Sequence, residues 1–454
     1  MPTSTPTPTL TLPQGTYAGG QHYGAEYFRG VPYAGGVQRF RPPTRLTVDP
    51  RPSPIDARQQ GPTPIAPPSR LSMVMGADRD SGPQSEEHSA VLSVYRPPGA
   101  AALPIFFWIH GGAFVSGSSQ SSFYDGSRLA RDANAVVVAV NYRLGALGFL
   151  YDPDTRHQPR PAESFGTLDL VAALEWVASH AAALGGDSGN ITAFGQSAGG
   201  FLCAELLVLR PQLVARAIIQ SSTASVLASV DDALAIRALA ATFLPSGATF
   251  DTMSPEQAIA VHSQTAGALP AHNLDFGLGM PFFPVLPPSA GPGGGRPNHN
   301  PDVPGASDPR RVPVFVTYTA NDGDVFRRMA SQAGLSDAEI DALPPTALRS
   351  NPGWAAASVD YAHFLRQRGH AVSLAEWVWR PAGSAFGAVH TIDVPLLLGT
   401  QEAWAGTPML GSESWDEVDA KGKVVRQAWG AFARGVWPAS IDGVLDVLEE
   451  ATAK

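Results

Sequence analysis

The sequence is poor in charge and has no stretch of like-charged residues. Only 16% of its 454 residues are charged whereas 44% are hydrophobic, a balance typical of a folded globular chain and not of a disordered or coiled-coil one. The formal net charge is −9, and Lys and Arg never form a run. Because nucleic-acid binders present a clustered basic surface, we expect no nucleic-acid partner.

Long apolar runs and a secretory signal are also missing. The longest apolar stretches, such as 101–109 and 394–398, are far shorter than the roughly 20 residues that cross a bilayer, so no membrane span is predicted. The N-terminal segment MPTSTPTPTLTLPQG has neither the basic nor the apolar region of a signal peptide. Its Thr/Pro alternation indicates a flexible, solvated tail over residues 1–14.

Cysteine occurs once, as Cys203. A single cysteine excludes disulfides within the chain and favours a reducing compartment, so we expect a cytoplasmic location. A lone cysteine on an apolar helix face is ordinarily part of the core, and we assign Cys203 no catalytic role.

Strand and helix patterns alternate along the middle of the chain. The runs VLSVYRP, PIFFWIHGG and AVVVAVNYR are apolar and β-rich, and they are predicted to be core strands. Residues 168–186 have apolar side chains at helical spacing and end in a Gly pair, which predicts a helix. A strand, NITAFGQ, a sharp turn and a helix, SAGGFLCAELLVL, follow, and ARAIIQSS is one more strand. This order predicts an α/β fold with a mostly parallel central sheet flanked by helices.

Residues 231–311 interrupt this alternation. They combine mixed helical signals with MPFFPVLPP and the Gly/Pro-rich stretch GPGGGRPNHNPDVPG, which cannot pack as regular structure. We interpret them as a cap that ends in a mobile loop, inserted in a single domain over residues 15–454. The sheet pattern resumes at 311–323 and 374–381, and a helix around 424–434 closes the chain.

The pentapeptide GQSAG at 195–199 matches G-x-S-x-G, in which glycines allow a strained strand-to-helix turn that exposes the serine hydroxyl. Alone, this match is weak evidence in a glycine-rich chain. Its context strengthens it, because a β-rich run precedes it and an apolar helix follows it. We therefore predict that Ser197 is a nucleophile.

The segment WIHGGAFVSG is expected to complete an oxyanion hole. The amide of Ala198 and the positive end of its helix point toward the place where a tetrahedral oxyanion would form. After the strand PIFFWI, glycines allow bare amides to face a ligand. We predict an oxyanion hole made by Gly111, Gly112, Ala113 and Ala198, with His110 bracing the loop.

Eleven histidines are candidates for the general base. Where such a serine turn occurs, the chain order is serine, acid, histidine, so the base should lie on a loop beyond a late strand. His390 in GAVHTIDVP fits best, because His363 and His370 lie in a helical stretch and three other histidines fall in the cap. As base, His390 would take the serine proton and return it to the leaving alcohol.

The acid that orients this histidine should follow a strand between the serine and His390. The segment VPVFVTYTANDGD offers Asp322 and, two residues on, Asp324. Asp322 is preferred, although Asn-Asp-Gly is also a common turn sequence, so either carboxylate can be explained by turn chemistry.

Aromatic side chains offer a candidate pocket, and a metal site is not expected. Phe114, Phe282 and Phe283 are candidates for an apolar acyl or alcohol pocket, or else for simple core. His299 and Asp302 lie in an Asn/Pro/Gly loop that lacks a ligand set for a metal. We therefore expect neither a metal nor an organic cofactor.

Several segments resemble the type-B carboxylesterases, the family that includes bacterial esterases and the cholinesterases. FRGVPYA with RFRPP, VNYRLGALGFL, LDLVAALEWV with LGGD, ITAFGQSAGG and GAVHTIDVP occur in the family's order, from near Gly15 to about Pro438. The resemblance implies an α/β-hydrolase fold. It also implies that Ser197 is the nucleophile, His390 is the base, and the hole is formed by the amides of Gly112, Ala113 and Ala198.

The sequence departs from the family at three places. The family's acid is usually Glu in a D-E-G segment, whereas NDG places Asp322, one methylene shorter, at that position. Ser89 lies near the place where members often have a disulfide-forming Cys, in agreement with a cytosolic form. The chain is also shorter after the cap, which leaves the substrate gorge undetermined.

The sequence therefore predicts a serine carboxylesterase that cleaves small to medium, fairly apolar esters through an acyl-enzyme. One alternative is a non-catalytic relative that acts as a binding protein. A second alternative keeps the machinery but cleaves an amide, carbamate or lactone. The oligomeric state is left open.

Overall fold

Two sheets organise the structure, a computed structural model that describes residues 7–46, 48–49, 51–78, 80–153, 164–222, 230–272, 280–285, 310–332, 334–341 and 351–451. The strands of this part of the chain are β1 (Thr9–Leu12), β2 (Gly15–Ala18), β3 (Gly20–His22), β4 (Ala25–Pro32), β5 (Ile55–Asp56), β6 (Val91–Arg96), β7 (Leu103–Ile109), β8 (Val136–Val140), β9 (Gly186–Gln196), β10 (Arg216–Gln220), β11 (Pro313–Thr319), β12 (Ala371–Trp377) and β13 (Leu445–Glu449).

The large sheet has ten strands in the order β13-β12-β11-β10-β9-β7-β8-β6-β4-β3. Its six central strands, from β12 to β8, are parallel, whereas the pairings toward both edges are antiparallel. The mostly parallel sheet expected from the sequence is therefore confirmed. Because parallel strands end at one edge of a sheet, residues that follow β7, β9, β10 and β11 are brought together there.

Helices cover both faces of this sheet. They are α1 (Ser72–Met75), α2 (Ser127–Ala133), α3 (Gly145–Phe149), α4 (Phe165–Leu184), α5 (Ala198–Leu209), α6 (Val230–Ala241), α7 (Pro255–Ala268), α8 (Asp324–Gln332), α9 (Asp337–Asp341), α10 (Asn351–Gln367), α11 (Val394–Leu397), α12 (Gln401–Trp404) and α13 (Trp415–Ala433). The closing helix, α13, begins nine residues before the predicted start at 424 because Ser414 caps it through the Glu417 amide.

Strand β7 shows why the two faces need separate layers. Its Ile105, Phe107 and Ile109 belong to a core that includes α4 and α5, while Phe106 and Trp108 belong to a second core that includes α2 and α13. Alternate side chains of a strand point to opposite faces, so a fully apolar strand must be covered on both sides. Helix α4 is apolar and long enough to cross a membrane, but 61% of its most apolar window is buried within the fold, as expected of a core helix.

The prediction of a flexible tail over residues 1–14 is wrong for residues 9–12. Residues 9–12 form β1, which pairs antiparallel with β2, and Leu10 and Leu12 are buried while Thr9 and Thr11 are exposed. The sequence TLTL alternates with the period of a strand, and its two leucines add to the core. Residues 1–6 lie outside the described residues.

The region expected to form a cap contains α6 and α7, of which α7 begins with a capping box at Ser254 and Gln257. Residues 273–279 and 286–309, which include the expected mobile loop, lie outside the described residues. The single domain over 15–454 and the cap insertion over 231–311 stay predictions.

Candidate active site

The serine of the GQSAG motif lies at a sharp turn between a strand and a helix. Strand β9 ends at Gln196 and α5 begins at Ala198, while Ser197 has φ 59° and ψ −125°, a conformation that a residue with a Cβ rarely adopts. Its neighbours from Ile191 to Ala204 are buried, but Ser197 is partly exposed. The turn therefore presents one hydroxyl at the surface of an otherwise closed core.

Two glycines make this turn possible. A Cβ on Gly195 would lie 2.3 Å from the Gly199 carbonyl oxygen, and a Cβ on Gly199 would lie 2.0 Å from the Ile109 carbonyl oxygen. Both distances are far below contact distance, so any larger residue would push α5 away from the sheet. The motif is thus explained by backbone packing.

A buried carboxylate and a buried imidazole lie beside this turn. His390 Nδ1 donates a hydrogen bond to Asp322 Oδ1 over 2.6 Å, and neither side chain is exposed. Asp322 Oδ2 accepts from the Ser221 hydroxyl at 2.9 Å and from the Thr319 amide at 2.7 Å. Asp324 instead begins α8 and accepts from the Asn321 amide side chain. Of the two candidate acids, it is Asp322 that contacts His390.

The other side of the imidazole is also enclosed. His390 Nε2 lies 3.2 Å from Gln196 Nε2, and the rings of Phe326 and Trp354 pack against the imidazole at centroid distances of 5.1 and 4.7 Å. Among the described residues, no hydrogen bond joins the Ser197 hydroxyl to His390. The structure thus brings together the predicted acid and base, and it connects them to the serine turn through Gln196.

A second buried carboxyl lies close to this pair. Asp393 is fully buried and accepts a hydrogen bond from Gln220 Nε2 at 2.5 Å. Burial, together with the negative charge of Asp322, raises the pKa of Asp393 to about 7. Asp393 therefore retains its proton well above the pH at which an exposed carboxyl loses it.

The predicted oxyanion loop follows β7 and has an unusual backbone. Gly112 has φ +116°, and Ala113 and Phe114 have φ 55° and 61°. A Cβ on Gly112 would lie 2.1 Å from the Ser116 carbonyl oxygen, so only glycine fits there. Within the described part of the chain, the amides of Gly112, Ala113 and Ala198 have no hydrogen-bond acceptor.

Gly111 and His110 lie at the base of this loop. A Cβ on Gly111 would lie 3.1 Å from Ser197 Cβ, so the loop passes directly against the serine turn. His110 is fully buried, donates from Nδ1 to the Gly111 carbonyl oxygen at 2.9 Å and stacks on Tyr142 at 4.5 Å. Burial lowers the pKa of His110 to about 4, so the ring is neutral near pH 7 and braces the loop.

The three phenylalanines predicted for the pocket are all buried. Phe282 and Phe283 line a small cavity whose other walls come from Phe149, Leu150, Tyr151, Ala233, Ile236, Pro281 and Val285. Phe114 contacts the ring of Phe149 at 5.1 Å and that of Phe201 at 5.6 Å, so it joins the oxyanion loop to this cavity wall.

No group of three or more His, Cys, Asp or Glu side chains with the geometry of a metal site occurs among the residues that the structure describes. His299 and Asp302, which the sequence argues against as ligands, lie outside those residues. Cys203 is fully buried on α5, and burial raises the pKa of its thiol, in keeping with a core position.

Sequence reasoning missed most of the groups that surround His390. Ser221 is the next-to-last residue of the predicted strand ARAIIQSS, and Gln196 is the variable position of the motif, so both had a positional signal. Phe326 and Trp354 had none, because helical aromatic residues that face a site look the same in sequence as those that face the core.

Comparison with known proteins identifies the family. The model of the carboxylesterase family matches residues 6–340. A probable N-octanoylanthranilate hydrolase of Rhodococcus erythropolis is 32% identical over 93% of this chain and 92% of its own length, and a phenmedipham hydrolase of Pseudarthrobacter oxydans is 28% identical over 90% and 86%. The solved structure of a thermophilic PNB esterase aligns with a TM-score of 0.76 at 25% identity, covering 97% of this chain and 93% of that one.

The family model covers the chain from β1 to β11 with the serine turn and Asp322, and the relatives and the solved structure named above align over 90% or more of this chain. The chain belongs to the carboxylesterase family, has the α/β-hydrolase fold and is a carboxylic ester hydrolase.

Proposed function

We propose that this protein hydrolyses small to medium, fairly apolar carboxylic esters through an acyl-enzyme formed on Ser197. In this mechanism His390 takes the Ser197 proton as the oxygen attacks the ester carbonyl, and Asp322 orients the imidazole and stabilises its protonated form. The observation that carries the proposal is the buried 2.6 Å hydrogen bond between His390 and Asp322 next to the strained serine turn.

The attack creates a tetrahedral intermediate with a negative oxygen, which needs hydrogen-bond donors. The amides of Gly112, Ala113 and Ala198 are the proposed donors, with Gly111 providing the close approach of the loop to the serine turn. Support comes from their lack of acceptors within the described chain and from the left-handed backbone that turns this loop. One such donor contributes about 3 kcal/mol to transition-state stabilisation.

Collapse of the intermediate expels the alcohol, which receives its proton from His390, and leaves the acyl group on Ser197. Water then attacks the acyl-enzyme with His390 again as base, and the acid is released. We assign Phe114, Phe282 and Phe283 to the walls of the substrate pocket, because they are apolar, adjoin the oxyanion loop or line the cavity, and match a fairly apolar acyl group.

The test uses p-nitrophenyl acetate and butyrate as substrates for the purified protein. Ser197→Ala should reduce kcat by at least about a thousandfold, because the acyl-enzyme can no longer form. Ser179→Ala, on the outer part of α4, is the matched control and should retain activity. A fluorophosphonate probe should label the unmodified protein and not the Ser197 variant; activity or labelling that survives in that variant contradicts the assignment.

A second candidate function is amide hydrolysis by the same groups. The relative from Rhodococcus erythropolis is named for an N-octanoyl compound, and the alignment covers nearly the whole of both chains. An amide is a poorer substrate because its leaving nitrogen must be protonated. Rates on an octanoyl ester and the matched octanoyl amide, compared in one preparation, distinguish the two functions, and an amide rate above the ester rate would favour the second.

A further inference from the structure

The residue before the serine makes a contact that the mechanism above does not use. The Gln196 side chain is 3% exposed, and its Nε2 lies 3.2 Å from His390 Nε2. Its Oε1 lies 3.0 Å from the position that a Cβ on Gly111 would occupy. Gln196 thus contacts the imidazole with its amide nitrogen and approaches Gly111 with its amide oxygen.

The partner of Nδ1 determines what Nε2 can do. The Asp322 carboxylate accepts from Nδ1, so a neutral His390 carries its one proton on Nδ1 and a lone pair on Nε2. The amide of Gln196 faces this lone pair with its nitrogen and can donate to it, at the same atom that accepts the Ser197 proton in the proposed mechanism.

The same contact distinguishes the two states of the imidazole. When His390 takes the serine proton, Nε2 becomes a donor, and two N–H groups then face each other unless the Gln196 amide turns or moves away. A hydrogen bond donated to the neutral form favours that form. The other groups around the ring are the carboxylate of Asp322 and the rings of Phe326 and Trp354, with the buried carboxyl of Asp393 close to Asp322.

We propose that Gln196 is a positioning residue of the ester-cleaving site: its neutral amide donates to Nε2 of the resting imidazole, holds the ring in place and favours its neutral form, and it must release Nε2 before that atom accepts the serine proton. This inference rests on the proposed role of His390 as base. The acid limit of activity is then set in part by the residue at position 196, since a side chain that donates no hydrogen bond, or that carries a negative charge, favours the protonated ring.

The experiment measures kcat/KM for p-nitrophenyl butyrate against pH in the unmodified protein, Gln196→Met and Gln196→Glu. Methionine has similar volume but donates no hydrogen bond, and it has no titrating group of its own. On the acid side of this pH profile, kcat/KM falls as the base becomes protonated. We expect the midpoint of that fall, the acid limb, to move to higher pH by about half a unit in Q196M and by about one unit or more in Q196E.

Gln120→Met is the matched control. Gln120 is another buried glutamine, but its side-chain oxygen accepts hydrogen bonds from the backbone amides of Gly30 and Gly61. In the part of the chain that the structure describes, it makes no hydrogen bond with His390. Its acid limb should coincide with that of the unmodified protein. Circular dichroism melting of each variant identifies any that do not fold, and because Q196M and Q196E change different properties, either folded variant suffices to test the direction of the shift.

Coincident acid limbs in Q196M, Q196E and the unmodified protein would overturn the inference and leave Gln196 as a packing residue. A shift to lower pH would overturn it as well. The Ser197→Ala assay separates this result from failure of the proposed function, because loss of activity in S197A together with an unmoved limb in the Gln196 variants rejects only the role of Gln196.

Discussion

Two histidines, both fully buried, lie on opposite sides of the strand that ends at the serine turn. His110 follows β7, the neighbour of β9 on one side, while His390 contacts Asp322, which follows β11 on the other side. His110 has a backbone carbonyl and an aromatic ring as partners, and burial lowers its pKa to about 4. His390 has a carboxylate. Burial thus keeps His110 neutral as a brace, whereas the carboxylate partner of His390 suits it to the role of base that we propose for it.

The two sides also differ in the part of the chain that does the chemistry. On the His390 side, side chains supply the proposed functional groups, and their partners are mostly other side chains. On the His110 side, the backbone of Gly112 and Ala113 supplies the proposed groups, and its geometry depends on positive φ. Substitutions on the first side should change the chemistry of a group, and substitutions on the second side should change the position of the chain.

The largest expected effect comes from breaking the carboxylate partnership. Asp322→Asn keeps the shape of the side chain, but its amide offers Nδ1 a different hydrogen bond and carries no charge to stabilise the imidazolium. We expect kcat for p-nitrophenyl butyrate to fall by about ten-thousandfold, with a melting curve close to that of the unmodified protein.

Asp324→Asn is the control, because Asp324 accepts from Asn321 at the start of α8 and does not contact the base. It should keep kcat within a few-fold of the unmodified value. Equal losses of kcat in both variants, or a larger loss in the Asp324 variant, would show that Asp322 is not the acid.

The second effect tests the backbone side. Gly112→Ala places a Cβ 2.1 Å from the Ser116 carbonyl oxygen at a φ of +116°, so the loop must move and its amides move with it. We expect kcat to fall by about a hundredfold to a thousandfold, the range for loss of one oxyanion donor. Initial rates at saturating p-nitrophenyl butyrate measure kcat of this variant.

Gly99→Ala gives the matched control for backbone strain. Gly99 also has a positive φ, of +70°, but a Cβ there would meet nothing within 4 Å. We expect Gly99→Ala to lower the free energy of unfolding by about 1 kcal/mol and to leave kcat unchanged. If G112A retained full activity, the assignment of the oxyanion donors to this loop would be refuted.

The smallest effect concerns stability and pH on the His390 side. The pKa of Asp393 is raised from 3.8 to about 7, so between these values the folded chain binds more protons than the unfolded chain. Stability from this group therefore falls as pH rises from about 4 to 7. Asp393→Asn removes the effect. Relative to the unmodified protein, we expect the free energy of unfolding of this variant to rise by about 2 kcal/mol between pH 5 and pH 7.

Urea denaturation at pH 5, 6 and 7 measures this difference. Asp251→Asn, at an exposed carboxyl, should follow the unmodified protein at each pH. Parallel stability curves for D393N and the unmodified protein would show that Asp393 is ionised throughout this range.

The sequence predicted the serine turn and the sheet because both depend on local patterns. Gly195 and Gly199 are required by close contacts within a few residues of Ser197 or with the adjacent strand. The apolar runs of β7 and β8 are stable only as strands of a sheet that is covered on both faces. The tail expected over residues 1–14 was wrong at β1 because the Thr/Pro composition concealed a strand alternation.

The surroundings of the base could not be predicted in the same way. Whether Asp322 or Asp324 contacts His390 depends on how the chain turns after β11. The sequence does not reveal that turn, because the two carboxylates are only two residues apart. Trp354 packs on His390 from a helix that begins after a long stretch outside the sheet, and nothing in its local sequence distinguishes it from a core tryptophan. Such contacts depend on tertiary packing between distant segments.

The separation of the site's parts along the chain has a consequence for biosynthesis. The contact between Gln196 and His390 joins positions 194 residues apart, and the one between Asp322 and His390 joins positions 68 apart. Local structure such as the serine turn and α5 can form soon after translation, but contacts of high sequence separation form late. On the ribosome, the proposed nucleophile Ser197 is therefore made well before the proposed base His390, and we expect hydrolysis to begin only after the segment that contains His390 has been made and has packed against the sheet.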